Sequence, residues 1–192
     1  MRAAVVFIIF GFFVDVHGDT PQELIEALNT TGPIWVVKSS YLDQEGENNV
    51  TCVRWQKENL TSHQYTFDLT YKVGTAYGGT PHVNAELSMR NITPVMTVRN
   101  NTSGESTLYI LQLWNKTEKC FLLTREKERQ RESTMNIQSR NDPRTASTGM
   151  VECEVHVWHE SVTKGQFPAC KNKYEELCKD KQYKVFSDDE CL

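Results

Sequence analysis

The sequence predicts an all-β fold, barrel or sandwich, with flanking helices, and three features carry that prediction. Eight short segments of strand character follow one another in series. Turn-forming stretches separate them, and helical patterning is confined to the two ends of the mature chain. Six cysteines behind an apolar leader supply a covalent framework.

The leader is MRAAVVFIIFGFFVDVHG, with Arg2 at its start, an apolar run from Ala3 to Val14, and Val16-His17-Gly18 at the cleavage positions. This pattern is a secretory signal peptide. The run is shorter than the about 20 apolar residues a membrane span needs. Residues 1–18 are therefore expected to be removed and 19–192 to form a single secreted, soluble domain. The formal net charge of −4 argues against nucleic acid, whose binders carry a basic face. Asn-x-Ser/Thr sequons at Asn29, Asn49, Asn59, Asn91, Asn100, Asn101 and Asn115 point to a glycosylated surface. Asn29, Asn49, Asn59, Asn101 and Asn115 are the expected carriers, since Pro94 follows Thr93 of the Asn91 sequon and Asn100 abuts Asn101.

The first element is a helix over 20–28, with Thr20 as cap, Pro21 at the first helical position and Glu23 completing a capping box. Leu24, Ile25 and Leu28 make its apolar stripe, and Gly32-Pro33 ends it. Strands follow at 34–39, 50–56, 65–73, 82–89, 94–99, 106–114, 119–124 and 151–158. The third alternates most regularly: Tyr65, Phe67, Leu69, Tyr71 and Val73 share one face. Residues 125–150 open on the mixed-charge run REKERQRE and read as a solvated loop or frayed helical turn, or else as a docking patch. A last helix over 169–180 carries Tyr174, Leu177 and Cys178 at helical spacing.

The stretch CEVHVWH (153–159) has the look of a zinc half-site, Cys153-x2-His156-x2-His159. Two arguments remove it. An even number of cysteines behind a signal peptide is first a disulfide framework, in a compartment that consumes thiols. In an extended strand Cys153 and His159 stand ~20 Å apart at ~3.3 Å per residue, with His156 and His159 on opposite faces. No metal site and no cofactor are expected.

If the strand cysteines face outward toward the C-terminal segment, alternation sets every other face. Val53 and Trp55 then point inward, as do Phe121 and Leu123, while Val155 and Val157 lie under the final helix. Glu154, His156 and Trp158 face the interior, where a carboxylate and an imidazole are costly without partners. They form either an internal hydrogen-bonded network or a pocket for a cationic amine enclosed by Trp55, Tyr65, Phe67, Tyr71 and Trp158. No nucleophile–base grouping survives among the isolated histidines, so an enzyme is not expected.

At these residues the chain resembles the tick salivary lipocalins of the histamine-binding type. The resemblance runs through the capped helix leading into IWVVKSSY, Val-Thr-Cys52, Cys120 after a short turn, Glu154 in the last strand, Cys170 before the helix, and the tail YKVFSDDEC ending at Cys191. It implies an eight-stranded antiparallel lipocalin barrel, with a short N-terminal helix and a C-terminal helix packed outside. It also implies the pairings Cys52–Cys191, Cys120–Cys170 and Cys153–Cys178.

The family's amine signature is half present. Glu154 keeps its glutamate, Phe121 replaces an aspartate, and His156 replaces an aromatic. Asp43 stands where the family often has an acidic residue. The resemblance thus implies sequestration of a small host mediator, a biogenic amine such as histamine or serotonin. A lipid mediator of the leukotriene or fatty-acid type is the alternative ligand. A host protein docked on the 125–150 loop, with the barrel as scaffold, is the alternative partner. The chain is expected to act as a monomer, without nucleic acid or membrane.

Overall fold

The computed structural model describes residues 20–99, 104–128, 151–178 and 182–192. The leader, Asn100, Asn101 and the 129–150 part of the charged segment lie outside the described residues.

In chain order the elements are helix α1 (Gln22–Leu28), strands β1 (Ile34–Ser39), β2 (Gln44–Glu45), β3 (Asn48–Leu60), β4 (Gln64–Val73), β5 (Ala76–Arg90), β6 (Thr93–Arg99), β7 (Ser106–Asn115), β8 (Cys120–Glu128) and β9 (Glu152–Trp158). Helices α2 (His159–Val162) and α3 (Pro168–Leu177), strand β10 (Tyr183–Lys184) and helix α4 (Asp188–Cys191) complete the chain. From β3 to β9 each strand pairs antiparallel with the next. β1 then pairs with β9 on one side and, through Ile34↔Trp55 and Trp35↔Arg54, with β3 on the other. That double pairing closes eight strands into a barrel and excludes the sandwich.

Alternation along the strands sorts the core into two layers. Inside are Trp55, Tyr65, Phe67, Leu87, Met96, Leu111, Phe121 and Leu123, together with Leu24, Ala27 and Leu28 of α1. Outside, Trp35, Val37, Leu122, Val155 and Val157 pack against Phe167, Tyr174 and Phe186 of the C-terminal segment. Disulfides Cys52–Cys191, Cys120–Cys170 and Cys153–Cys178 pin that segment to β3, β8 and β9, in the pairing the family resemblance implies. Cys52 sits at a bulge in β3 with φ of 52°, and its N–H donates to Val185 O at 2.8 Å. The tail thus bonds a strand position that the bulge removes from the ladder.

Four expectations are corrected. Helix α1 starts one residue late: the Gln22 N–H turns back onto Thr20 O (2.8 Å), which puts Pro21 in the cap position and displaces the Thr20–Glu23 box. Ile25 is only half-buried, and Ala27 takes its place on the buried face. Leu177 is 37% exposed, because α3 buries Cys170 and Tyr174, four residues apart, and ends before another turn can form. Residues 125–128 belong to β8 rather than to a loop, paired with β7 out to Ser106↔Glu128.

Among the described residues, no helix is long and apolar enough to cross a membrane. Of the expected glycosylation positions, Asn29, Asn49 and Asn59 are exposed and Asn115 is half-buried. The Asn115 Oδ1 accepts the N–H groups of Thr117 and Glu118 and so shapes the β7–β8 turn.

Candidate functional site

The two ends of the barrel differ in chemistry. Where β1 begins and β9 finishes, α1 lies across the opening, and Trp158 Nε1 donates to Ala27 O at 2.8 Å. Trp114 packs against Trp158 at 5.5 Å, with the Lys119 ammonium 4.7 Å from the Trp158 ring centre. Trp158, expected on the pocket wall, is therefore committed to holding α1. The opposite end carries the charged groups.

Inside, β9 presents Glu152, Glu154 and His156 on one face because its side chains alternate. His156 is fully buried and Glu154 is 6% exposed; His156 Nε2 lies 2.8 Å from Glu154 Oε2. The imidazole is sandwiched by aromatics, with Phe121 stacked at 4.8 Å and 6° and Trp55 at 4.4 Å. Trp55 continues to Phe67 (5.0 Å), and Phe67 to Tyr65 (4.8 Å). The structure thus brings together Glu154, His156, Phe121, Trp55, Phe67 and Tyr65. Within this cluster two buried polar atoms have no hydrogen-bond partner among the described residues: His156 Nδ1 and the Tyr65 hydroxyl. Burial pushes the Tyr65 hydroxyl far above the ordinary tyrosine range. If Nε2 donates its proton to Glu154, Nδ1 is left as an acceptor facing the aromatic interior.

Tyr71 and Asp43 fall outside the cluster. Tyr71 lies across Gly78 of β5, where an added Cβ would stand 2.8 Å from its ring. Desolvation first, then the Glu45 carboxylate, raises its hydroxyl above the usual range. Asp43 is at the rim, 3.3 Å from Arg125 Nη2.

Arg125 is the residue that sequence reasoning missed. Its side chain is only 8% exposed and it pairs through Nε with Glu152 at 2.5 Å. Its guanidinium stacks 3.3 Å above the Tyr41 ring. Tyr109, edge-on to Trp55 at 5.9 Å, lies beneath it. Burial raises the Tyr109 hydroxyl, and Arg125 partly offsets the shift. The signal was available: Phe121, Leu123 and Arg125 are successive inward positions, but the charge run that starts at Arg125 pointed to solvent.

The mouth therefore sets two carboxylates, Asp43 and Glu152, on one guanidinium, with Glu154 at the next inward position of β9. Beside Glu154 a pocket of about 40 Å³ opens between Val36, Ser39, Tyr41, Asp43 and Val53.

No family model and no curated protein matches the chain. Among solved structures it is similar to Japanin from Rhipicephalus appendiculatus bound to cholesterol. That chain is 13% identical, with a TM-score of 0.53 over 85% of this chain and 97% of the other. The likeness establishes the fold: a lipocalin barrel with flanking helices.

Proposed function

We propose that the protein is a secreted lipocalin that sequesters a small host mediator in its barrel, and that the mediator is a protonated biogenic amine such as histamine or serotonin. One observation carries this reading: the acid-rich mouth, in which Asp43 and Glu152 share the single Arg125 guanidinium and Glu154 opens onto the free space. An ammonium in this space would find Glu154 as counter-charge, and the Tyr41 ring would wall it. His156 Nδ1 would accept a hydrogen from the ligand's ring or hydroxyl group.

The charge of this site favours an amine over an anionic lipid, and its size tells most strongly against a large ligand. A pocket of about 40 Å³ lies well below the roughly 300 Å³ that larger ligands occupy. A sterol such as the one in Japanin would need the aromatic interior to be rebuilt. A small amine also exceeds this space, but by far less than a sterol does.

Isothermal titration with histamine and serotonin tests the proposal. Saturable binding is expected, weakened about 10- to 100-fold by Glu154→Gln, the worth of one charged hydrogen bond. Failure of both amines to bind at micromolar concentration would end this reading.

A further inference from the structure

On the outer side of the barrel, a groove of about 420 Å³ runs between the α2–α3 connection and the C-terminal tail. Its floor is apolar: Val37 and Val155 from the strands, with Val162, Phe167 and Phe186 from the covering segment. A bulge in β1 between Val36 and Lys38 makes this floor. It turns Val37 and Lys38 to the same outer side, so a lysine stands directly beside the apolar surface.

The rim is basic. Lys38, Lys171 and Lys184 line it against one acid, Asp188. Lys38 is engaged by Glu175 at 3.7 Å, and Lys171 donates to Gly165 O and rides 4.4 Å over the Phe167 ring. Lys184 has no ion-pair partner among the described residues. This concentration of positive charge occurs on a chain of net charge −4, and its sign is opposite to that of the barrel mouth.

The walls are also preformed. Cys120–Cys170 and Cys153–Cys178 clamp α3 at both ends, and Cys52–Cys191 clamps the tail. A groove held by three covalent links does not have to be ordered when a ligand enters.

We propose that this groove is a second binding site, separate from the barrel interior, for a single-chain anionic amphiphile: a long-chain fatty acid carboxylate. Its alkyl chain lies on the valine and phenylalanine floor, and its carboxylate is met by Lys171 and Lys184. The volume is within the range of small-molecule sites. The acid-rich mouth repels the same carboxylate and directs it outside. The site stands independently of the amine reading, because it shares no residue with the mouth.

The test uses the full disulfide-bonded chain with oleate below its micellar concentration. Oleate is expected to bind, oleyl alcohol to bind more weakly, and the double variant Lys171→Glu/Lys184→Glu to weaken oleate about 10-fold or more while leaving histamine titrations as they were. In methyl NMR, a nitroxide-labelled stearate should broaden Val37, Val155 and Val162 and spare Leu87, Met96 and Leu123. Broadening of the interior set instead, equal binding of the alcohol, or an unchanged affinity after charge reversal would each overturn the proposal.

Discussion

The closed and open ends of this barrel are built from the same eight strands, yet one is filled by apolar packing and the other sets carboxylates beside free space. At the closed end the Trp158 indole N–H goes to the backbone of α1, Leu24, Ala27 and Leu28 fill the space beneath, and the buried Trp114 Nε1 has no hydrogen-bond partner among the described residues. At the open end Asp43 and Glu154 border free volume, and His156 Nδ1 lacks a partner among the described residues. Buried groups left unsatisfied cost free energy at either end, but only the open end sets carboxylates beside free space, so apolar packing at one end and charge at the other separate stability from binding. Mutations at the two ends should separate those properties too.

The largest effect is expected at the closed end. Leu28→Ala removes a fully buried side chain and should cost about 2–5 kcal/mol by denaturant unfolding. Amine affinity at temperatures where the variant is folded should not change. If affinity falls in step with stability, the two ends are not separable.

Arg125→Gln sharpens the comparison from the other side. Its loss leaves Asp43 and Glu152 without their cation. Both carboxylates remain partly exposed (54% and 37%), so the cost should be about 1–2 kcal/mol, below that of a fully buried pair. The mouth becomes more acidic, so amine affinity should rise where Glu154→Gln lowers it. A fall in affinity would show that Arg125 holds the rim in shape rather than opposing the ligand.

This division also marks what could be read from the chain itself. In the strands that carry a cysteine, the face followed from it: placing Cys120 and Cys153 outward put Phe121, Leu123, Glu154 and His156 on the opposite face, where the structure has them. Alternation is a local rule and needs no tertiary knowledge. The rim was not legible in the same way. Arg125 lies in a run of charges whose simplest home is water, and only the pairing of β8 with β7 and β9 extends the strand far enough to bring it over Tyr41. Trp158 has the right parity for the pocket, but parity does not say how far along the barrel axis a residue lies. The bulge at Val37, which creates the outer groove, has no signature in IWVVKS.

Tyr65 tests the interior between the two ends. Its hydroxyl is buried and has no hydrogen-bond partner among the described residues, so Tyr65→Phe should be neutral or stabilising by up to about 1 kcal/mol. The alkaline limb of stability gives the sign. Desolvation raises the folded-state pKa above the ordinary tyrosine value, so the folded chain holds this proton when the unfolded chain has released it. The contribution is complete below pH ~10 and is lost as pH rises through the folded value. Burial also pushes Tyr174 up to about 12, so the two tyrosines act in the same direction. Stability measured from pH ~9 to ~12 should fall in the parent and fall less steeply in Tyr65→Phe. An identical slope would mean that Tyr65 ionises in the folded state through access from the lumen.

The smallest effect belongs to the closed end's surface. Lys116 reaches Glu26 of α1 at 2.5 Å, and that hydrogen bond holds the Glu26 carboxyl below its usual range. Lys116→Ala should return the carboxyl toward the ordinary value in an NMR titration. A lowered pKa stabilises above the unfolded value and loses that contribution as pH falls through the folded one. The pair is solvated, so denaturant midpoints near neutral pH should hardly move. A clear loss of stability would show that α1 is held over the barrel by this ion pair as well as by its leucines, and the closed end would then depend on charge as the open end does.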